Sequence, residues 1–134
     1  MNFPYATLPG VPKDTRRPLA LIKFIHKDKS TRPILCLIAS GADYSYLTTE
    51  IADLLNINLS KITPQKSFAI NGSQFLCYPS EIEIEIGGHR LTIPVHFTKS
   101  LTSAFPCIIG QENFFSKTRI IFERYKWNLD IKLV

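Results

Sequence analysis

Residues 81–86 read EIEIEI, and no other part of the chain narrows its fold so far. Side chains on a strand alternate between faces, so this period of two puts Ile82, Ile84 and Ile86 on one face and Glu81, Glu83 and Glu85 on the other. A helix would scatter both sets around its circumference. The segment is therefore a half-buried strand that needs further strands to cover its apolar face. Gly87-Gly88 then turns the chain into residues 91–97 (LTIPVHF), where Pro94 argues for an edge position or a bulge. The rest of the chain has the same character. Residues 19–25 (LALIKFI) and 33–38 (PILCLI) read as a hairpin across the polar loop HKDKSTR, with Pro33 fitting only the start of its strand. Residues 66–78 (KSFAINGSQFLCY) place Asn71-Gly72 between strand-like flanks, which predicts a hairpin tip. Residues 118–123 (TRIIFE) and 127–133 (WNLDIKL) read as closing strands, the last with Trp127, Leu129, Ile131 and Leu133 on one face. Two short helices are predicted. TEIADLLN starts from Thr48 or Thr49 as N-cap, with Glu50 in its first turn, and stops at the asparagines; QENFFSK is the second. Seven or eight short strands with so little helix make an all-β barrel or sandwich.

At 134 residues the chain is the size of one domain. Its first 17 residues carry Pro4, Pro9 and Pro12 ahead of any periodic segment, which predicts an extended arm over residues 1–16 and a folded unit from about Pro18. The net charge of +5 invites a nucleic-acid partner, but the excess lies entirely in residues 1–32, and the remainder balances nine bases against nine acids. A basic barrel that binds single strands would carry its charge along a groove with exposed aromatics. No nucleic-acid partner is therefore expected. No run of 18 apolar residues is present, and the amino terminus lacks the pattern of a secretory signal, so the expected setting is cytoplasmic, away from membranes. Cys36, Cys77 and Cys107 are odd in number and widely spaced, which argues against a disulfide framework. His26, His89 and His96 have no zinc-site spacing with each other or with the cysteines, so neither metal nor cofactor is expected. Cys107 with His96 would need a third group to act as nucleophile and base, and none follows. The alternating glutamates read as a solvated face.

Four pieces of sequence, in order, resemble the retropepsins, the single-domain aspartic proteases of retroviruses and related elements. They are Arg17-Pro18-Leu19, Leu37-Ile38-Ala39-Ser40-Gly41-Ala42-Asp43, Ala69-Ile70-Asn71-Gly72 and Ile108-Ile109-Gly110-Gln111-Glu112-Asn113. The resemblance spans residues 17–122. It implies a retropepsin-like closed β-barrel with a flap hairpin and one or two short helices, occupying residues 17–134. The family signature is two apolar residues followed by Asp-Ser/Thr-Gly-Ala, and much later two apolar residues and a glycine leading into a helix. Where that signature has the catalytic aspartate, this sequence has Ala39.

By the same resemblance, the working unit is a homodimer in which each chain supplies one catalytic position to a shared site that takes extended polypeptide. Ser40 matches the hydroxyl that hydrogen-bonds across the dyad, and Gly41 and Ala42 match the small residues that substrate backbone approaches. Asp43 matches a position that binds substrate backbone and pairs with an arginine of the partner chain; Arg17 matches that arginine. Ile70, Asn71 and Gly72 would form the flap tip, and Ile38, Ile70 and Ile108 or Ile109 would line side-chain pockets. Gln111 stands where the family commonly has an arginine bracing the position of Asp43. The terminal strand either interleaves with a partner's chain ends or closes on its own subunit. Two accounts of Ala39 remain open. One is an aspartate replaced by alanine, which the intact neighbours Ser40, Gly41 and Ala42 favour; the other is a natural pseudoprotease that binds peptide or mediates dimerisation.

Overall fold

The alternation in residues 81–86 is realised within β7 (Gln74–Ile86), a strand of 13 residues in which Ile82, Ile84 and Ile86 are buried. The structure is a computed structural model and describes residues 1–8, 12, 15–101 and 105–134. Its other strands are β1 (Asn2–Pro4), β2 (Leu19–His26), β3 (Lys29–Ser30), β4 (Ile34–Ile38), β5 (Ser45–Thr48), β6 (Gln65–Phe68), β8 (His89–Thr98), β9 (Cys107–Ile109), β10 (Thr118–Glu123) and β11 (Asn128–Leu133). One short α-helix, α1 (Thr49–Leu54), follows β5.

Strands β2, β4, β9, β5, β8 and β7 are neighbours in that order, and β7 pairs back onto β2 through Lys23↔Glu85, Phe24↔Ile84 and Ile25↔Glu83. The sheet thus closes on itself as a six-stranded barrel, which removes the open edges that a flat sheet would present. Alternate residues of each strand fill the interior: Ala20, Ile22 and Phe24, Cys36 and Ile38, Ile93, Val95 and Phe97, Cys107 and Ile109 are all buried. Each large apolar side chain withdrawn from water contributes about 1.5–3 kcal/mol. The predicted pairing of residues 19–25 with 33–38 is present as β2 against β4, Leu19↔Leu37 to Ile22↔Ile34.

Both internal prolines sit where the ladder has a gap. Pro79 lies between the part of β7 that pairs with β6, ending at Cys77, and the part that pairs with β2, starting at Glu83. Pro94 faces Glu81 of β7 just before the parallel partner β5 joins β8 at Ser45↔Val95. The edge position expected for Pro94 is met: β8 has β7 alone as neighbour over His89–Pro94 and becomes an internal strand only from Val95.

Helix α1 begins after Thr48 as predicted, buries Ile51 and Ala52, and ends before Asn56, which has φ of +57°. The second predicted helix is absent as an α-helix. Residues 111–114 form turns, and only Phe115–Lys117 adds a single 3₁₀ turn. Asn113 has φ of +60°, incompatible with helical continuation, and the inward pull of the fully buried Phe114 favours that tighter path. Trp127 likewise falls outside its expected strand. It follows the 3₁₀ turn Arg124–Lys126 with φ of +56°, and its ring lies under the Arg124 guanidinium at 3.4 Å.

A second sheet has the order β1-β11-β10. Strand β11 pairs with β10 from Thr118↔Leu133 to Glu123↔Asn128 and with β1 through Asn2↔Asp130 to Pro4↔Asn128. The terminal strand therefore closes on its own chain, and Asn2–Pro4 are extended along it. Among the described residues no helix is long and apolar enough to cross a membrane.

Candidate active site

Strands β4 and β9 run parallel, with Leu37↔Ile108 and Ile38↔Ile109 side by side, so the chain leaves both strands at the same end of the barrel. The small-residue segment after β4 and the glycine segment after β9 meet there. Ala39 N–H donates to Ile109 O at 2.9 Å, Gln111 N–H to Ala42 O at 2.8 Å and Glu112 N–H to Asp43 O at 2.8 Å. The Gln111 side-chain amide donates to Ser40 O at 2.5 Å, and Gly110 N–H donates to the buried Ser45 hydroxyl at 3.0 Å. Close approach is what Gly110 permits. A β-carbon there would collide with the carbonyl oxygens of Ala42 and Tyr44.

Residues 39 and 41–44 form the floor of an open groove of about 950 Å³. Its opposite wall is the hairpin of β6 and the start of β7, paired from Gln65↔Cys77 to Phe68↔Gln74. The tip is a three-residue loop. Ala69 N–H donates to Ser73 O and Gly72 N–H to Ala69 O, each at 2.9 Å, while Asn71 Oδ1 accepts from Ser73 N–H at 3.0 Å and from its hydroxyl at 2.7 Å. Only Gly72 takes a positive φ, +82°, as a turn followed by a left-handed bulge residue requires. Phe68 and Ile70 are exposed and face the groove, Ile70 completely so.

Strand periodicity separates the apolar candidates. Ile108 is half-buried and lines the groove, whereas Ile38 and Ile109 point into the barrel core at 2% and 0% exposure. The expected pocket role of Ile38 is thus replaced by a packing role. Asn71 and Gly72 stand at the hairpin tip outside the groove lining, as does Ser40 on the loop. Arg17 is exposed, and its backbone pairs with that of Ala6; among the described residues neither Arg17 nor Asp43 enters an ion pair within the chain.

An aromatic wall completes the groove, and the sequence reading did not reach it. Tyr44, Tyr46 and Phe75 line it. Behind them His96 stacks on Tyr44 with ring centres 4.7 Å apart and meets Tyr46 edge-on at 5.5 Å, while Tyr46 meets Phe75 at 5.8 Å. The signal was the alternation Tyr44-Ser45-Tyr46, which turns both tyrosines away from the buried serine. His96 does not pair with Cys107. Its Nδ1 lies 3.4 Å from Cys77 Sγ, and that thiol also contacts Ser67 Oγ at 3.3 Å. Burial holds the imidazole below its ordinary pKa and hence neutral near pH 7. Cys107 instead neighbours Cys36 inside the barrel, where burial, and secondarily the adjacent thiol, push Cys36 well above the usual thiol range. Of the three alternating glutamates, Glu83 and Glu85 are paired to Arg90 at 3.1 and 3.3 Å.

No protein-family model matches the sequence, and no curated protein sequence matches it. Solved structures do resemble it. A retropepsin-like aspartic protease from Rickettsia conorii superposes with a TM-score of 0.65 at 18% identity, covering 98% of this chain and 98% of its own. EIAV protease complexed with the inhibitor HBY-793 superposes with a TM-score of 0.56 at 18% identity, covering 75% of this chain and 88% of its own. With its six-stranded closed barrel, hairpin-covered groove and paired loops after β4 and β9, the chain has the fold of the retropepsin-like aspartic proteases.

Proposed function

We propose that this chain is an aspartic endopeptidase of retropepsin type that acts as a homodimer on extended polypeptide, present here in an inactive form because Ala39 occupies the position of the catalytic aspartate. The observation that carries the proposal is the placement of Ala39 on the floor of the groove facing the hairpin. In a symmetric dimer two such positions meet. Two carboxylates about 3 Å apart cannot both ionise, so they share one proton, and one serves as base toward water while the other serves as acid toward the scissile amide. A methyl group does neither, and symmetry removes both partners at once. Since a positioned acid or base contributes roughly 10²–10⁴ in rate, no useful cleavage is expected from the chain with Ala39.

Substrate lies extended along the groove, its backbone approached by Gly41 and Ala42 and hydrogen-bonded by Asp43. The flap tip, residues 70–72, covers it in the manner of an added strand. Arg17 of each chain pairs with Asp43 of the other. The test is Ala39→Asp, assayed for peptide cleavage at roughly pH 4–6, where a shared-proton dyad is half-ionised, with and without a transition-state analogue such as pepstatin. Inhibitor-sensitive cleavage is the expected result. A correctly folded, dimeric Ala39→Asp protein that cleaves nothing overturns the endopeptidase reading and leaves that of a peptide-binding or dimerising pseudoprotease carrying Ala39 natively.

A further inference from the structure

The loop of residues 39–43 is anchored to the segment after β9 mostly by backbone hydrogen bonds, which any residue could supply. One anchor differs. The Gln111 side-chain amide donates to the carbonyl oxygen of Ser40, and this carbonyl belongs to the peptide unit that joins Ser40 to Gly41. Little else restrains that unit. The turn bond from Ala42 N–H to Ala39 O is long, at 3.3 Å, and an added β-carbon at Gly41 would meet nothing within 4 Å, so the space beside its α-carbon is open. Gly110 brings Gln111 into range by letting its own backbone pass against the Ala42 and Tyr44 carbonyls.

We infer that Gln111 is a positioning residue for the catalytic loop, fixing the Ser40–Gly41 peptide, and through it the direction of the side chain at position 39, with a donor that carries no charge. The inference rests on the protease reading for its catalytic consequence, though not for the anchoring itself. A rotation of that plane would move Ser40, which joins directly to residue 39, and small displacements of a reacting group are costly to catalysis. The neutral donor has a second effect. A cation at position 111 would favour the ionised form of a nearby carboxylate at position 39 and lower the pH at which the dyad takes up its shared proton; an amide leaves that pH higher. It also leaves the Asp43 carboxylate without a cation on the Gln111 side chain, available to substrate or to a partner chain.

Two measurements test this. In the chain as it stands, with Ala39, hydrogen–deuterium exchange of the peptide spanning residues 39–43 should quicken several-fold in Gln111→Leu while the thermal midpoint stays put, and should stay slow in Gln111→Arg, which retains a donor. Unchanged exchange in Gln111→Leu overturns the anchoring. In the Ala39→Asp background, Gln111→Leu should lower kcat by about tenfold, the loss of one hydrogen bond, with KM little changed. Gln111→Arg should keep kcat and shift the acid limb of the pH profile downward. Gln111→Glu should lose kcat where the added carboxyl is ionised and regain it in acid, where the protonated acid donates again. Equal kcat for Gln111→Leu and its Ala39→Asp parent overturns the positioning role. Should the Ala39→Asp parent cleave nothing, the protease reading fails on that result alone, and the exchange measurement still decides what Gln111 does.

Discussion

A β-carbon added at Gly110 would fall 2.6 Å from the Ala42 carbonyl oxygen and closer still to that of Tyr44, both of them backbone atoms that cannot swing aside. Gly110→Ala is therefore expected to cost about 1–3 kcal/mol, the range for forced overpacking, read as a lowered urea midpoint with an unchanged slope. The cost should fall where the segments after β4 and β9 lie in contact. At this scale the sequence was partly legible. The small residues 39–42 announced a backbone held close to something, and the later glycine could be matched to it by its resemblance to a known pattern. What Gln111 does was not legible, because its partner Ser40 is 71 positions away and only the parallel register of β4 and β9 brings the two together. The contact of His96 with Cys77, in place of Cys107, was hidden for the same reason. The pairing follows from which strands are neighbours, and residue type alone says nothing about that.

Among the elements, the hairpin of β6 and β7 is fastened to the barrel at its root by a buried cluster in which Cys77, Ser67 and His96 touch. His96 is held below its ordinary pKa by burial. The unfolded chain therefore binds a proton that the folded chain refuses, in the window between the depressed folded value and about 6.5. Stability from this residue is complete above that window and declines as the pH falls through it. His96→Gln should flatten the dependence, seen as a smaller difference between urea midpoints at about pH 7.5 and pH 5.5 than in the parent, by up to one proton's slope. An equally steep profile in both proteins would assign the dependence to other groups. The elements themselves were largely readable, since period-two alternation and turn residues mark β2, β4, β7, β10 and β11. The second helix expected over QENFFSK did not form because Asn113 adopts a left-handed conformation that ends the turn.

For the molecule as a whole, the barrel was legible in class but its closure was not, because the pairing of β2 with β7 joins residues about sixty positions apart. The proposed dimer is tested at this scale. Arg17→Ala and Asp43→Ala should each weaken self-association, and since two-fold symmetry duplicates every contact, a pair worth about 1 kcal/mol is lost twice, roughly a thirtyfold rise in Kd by sedimentation. Exchanging the two charges, Arg17→Asp with Asp43→Arg, should restore association; a tight dimer in all three proteins would remove the ion pair from the interface. One feature of the interior also equips the molecule to report on its own motions. Cys36, Cys77 and Cys107 are free thiols, each buried, two inside the barrel and one beneath the hairpin root. An aromatic disulfide reagent in solution reaches them only when the structure opens. Cys77 should therefore be labelled at the rate at which the hairpin root opens while Cys36 and Cys107 wait for the barrel to part, so that a single mixing experiment on the unmodified chain would time the hairpin and the body separately.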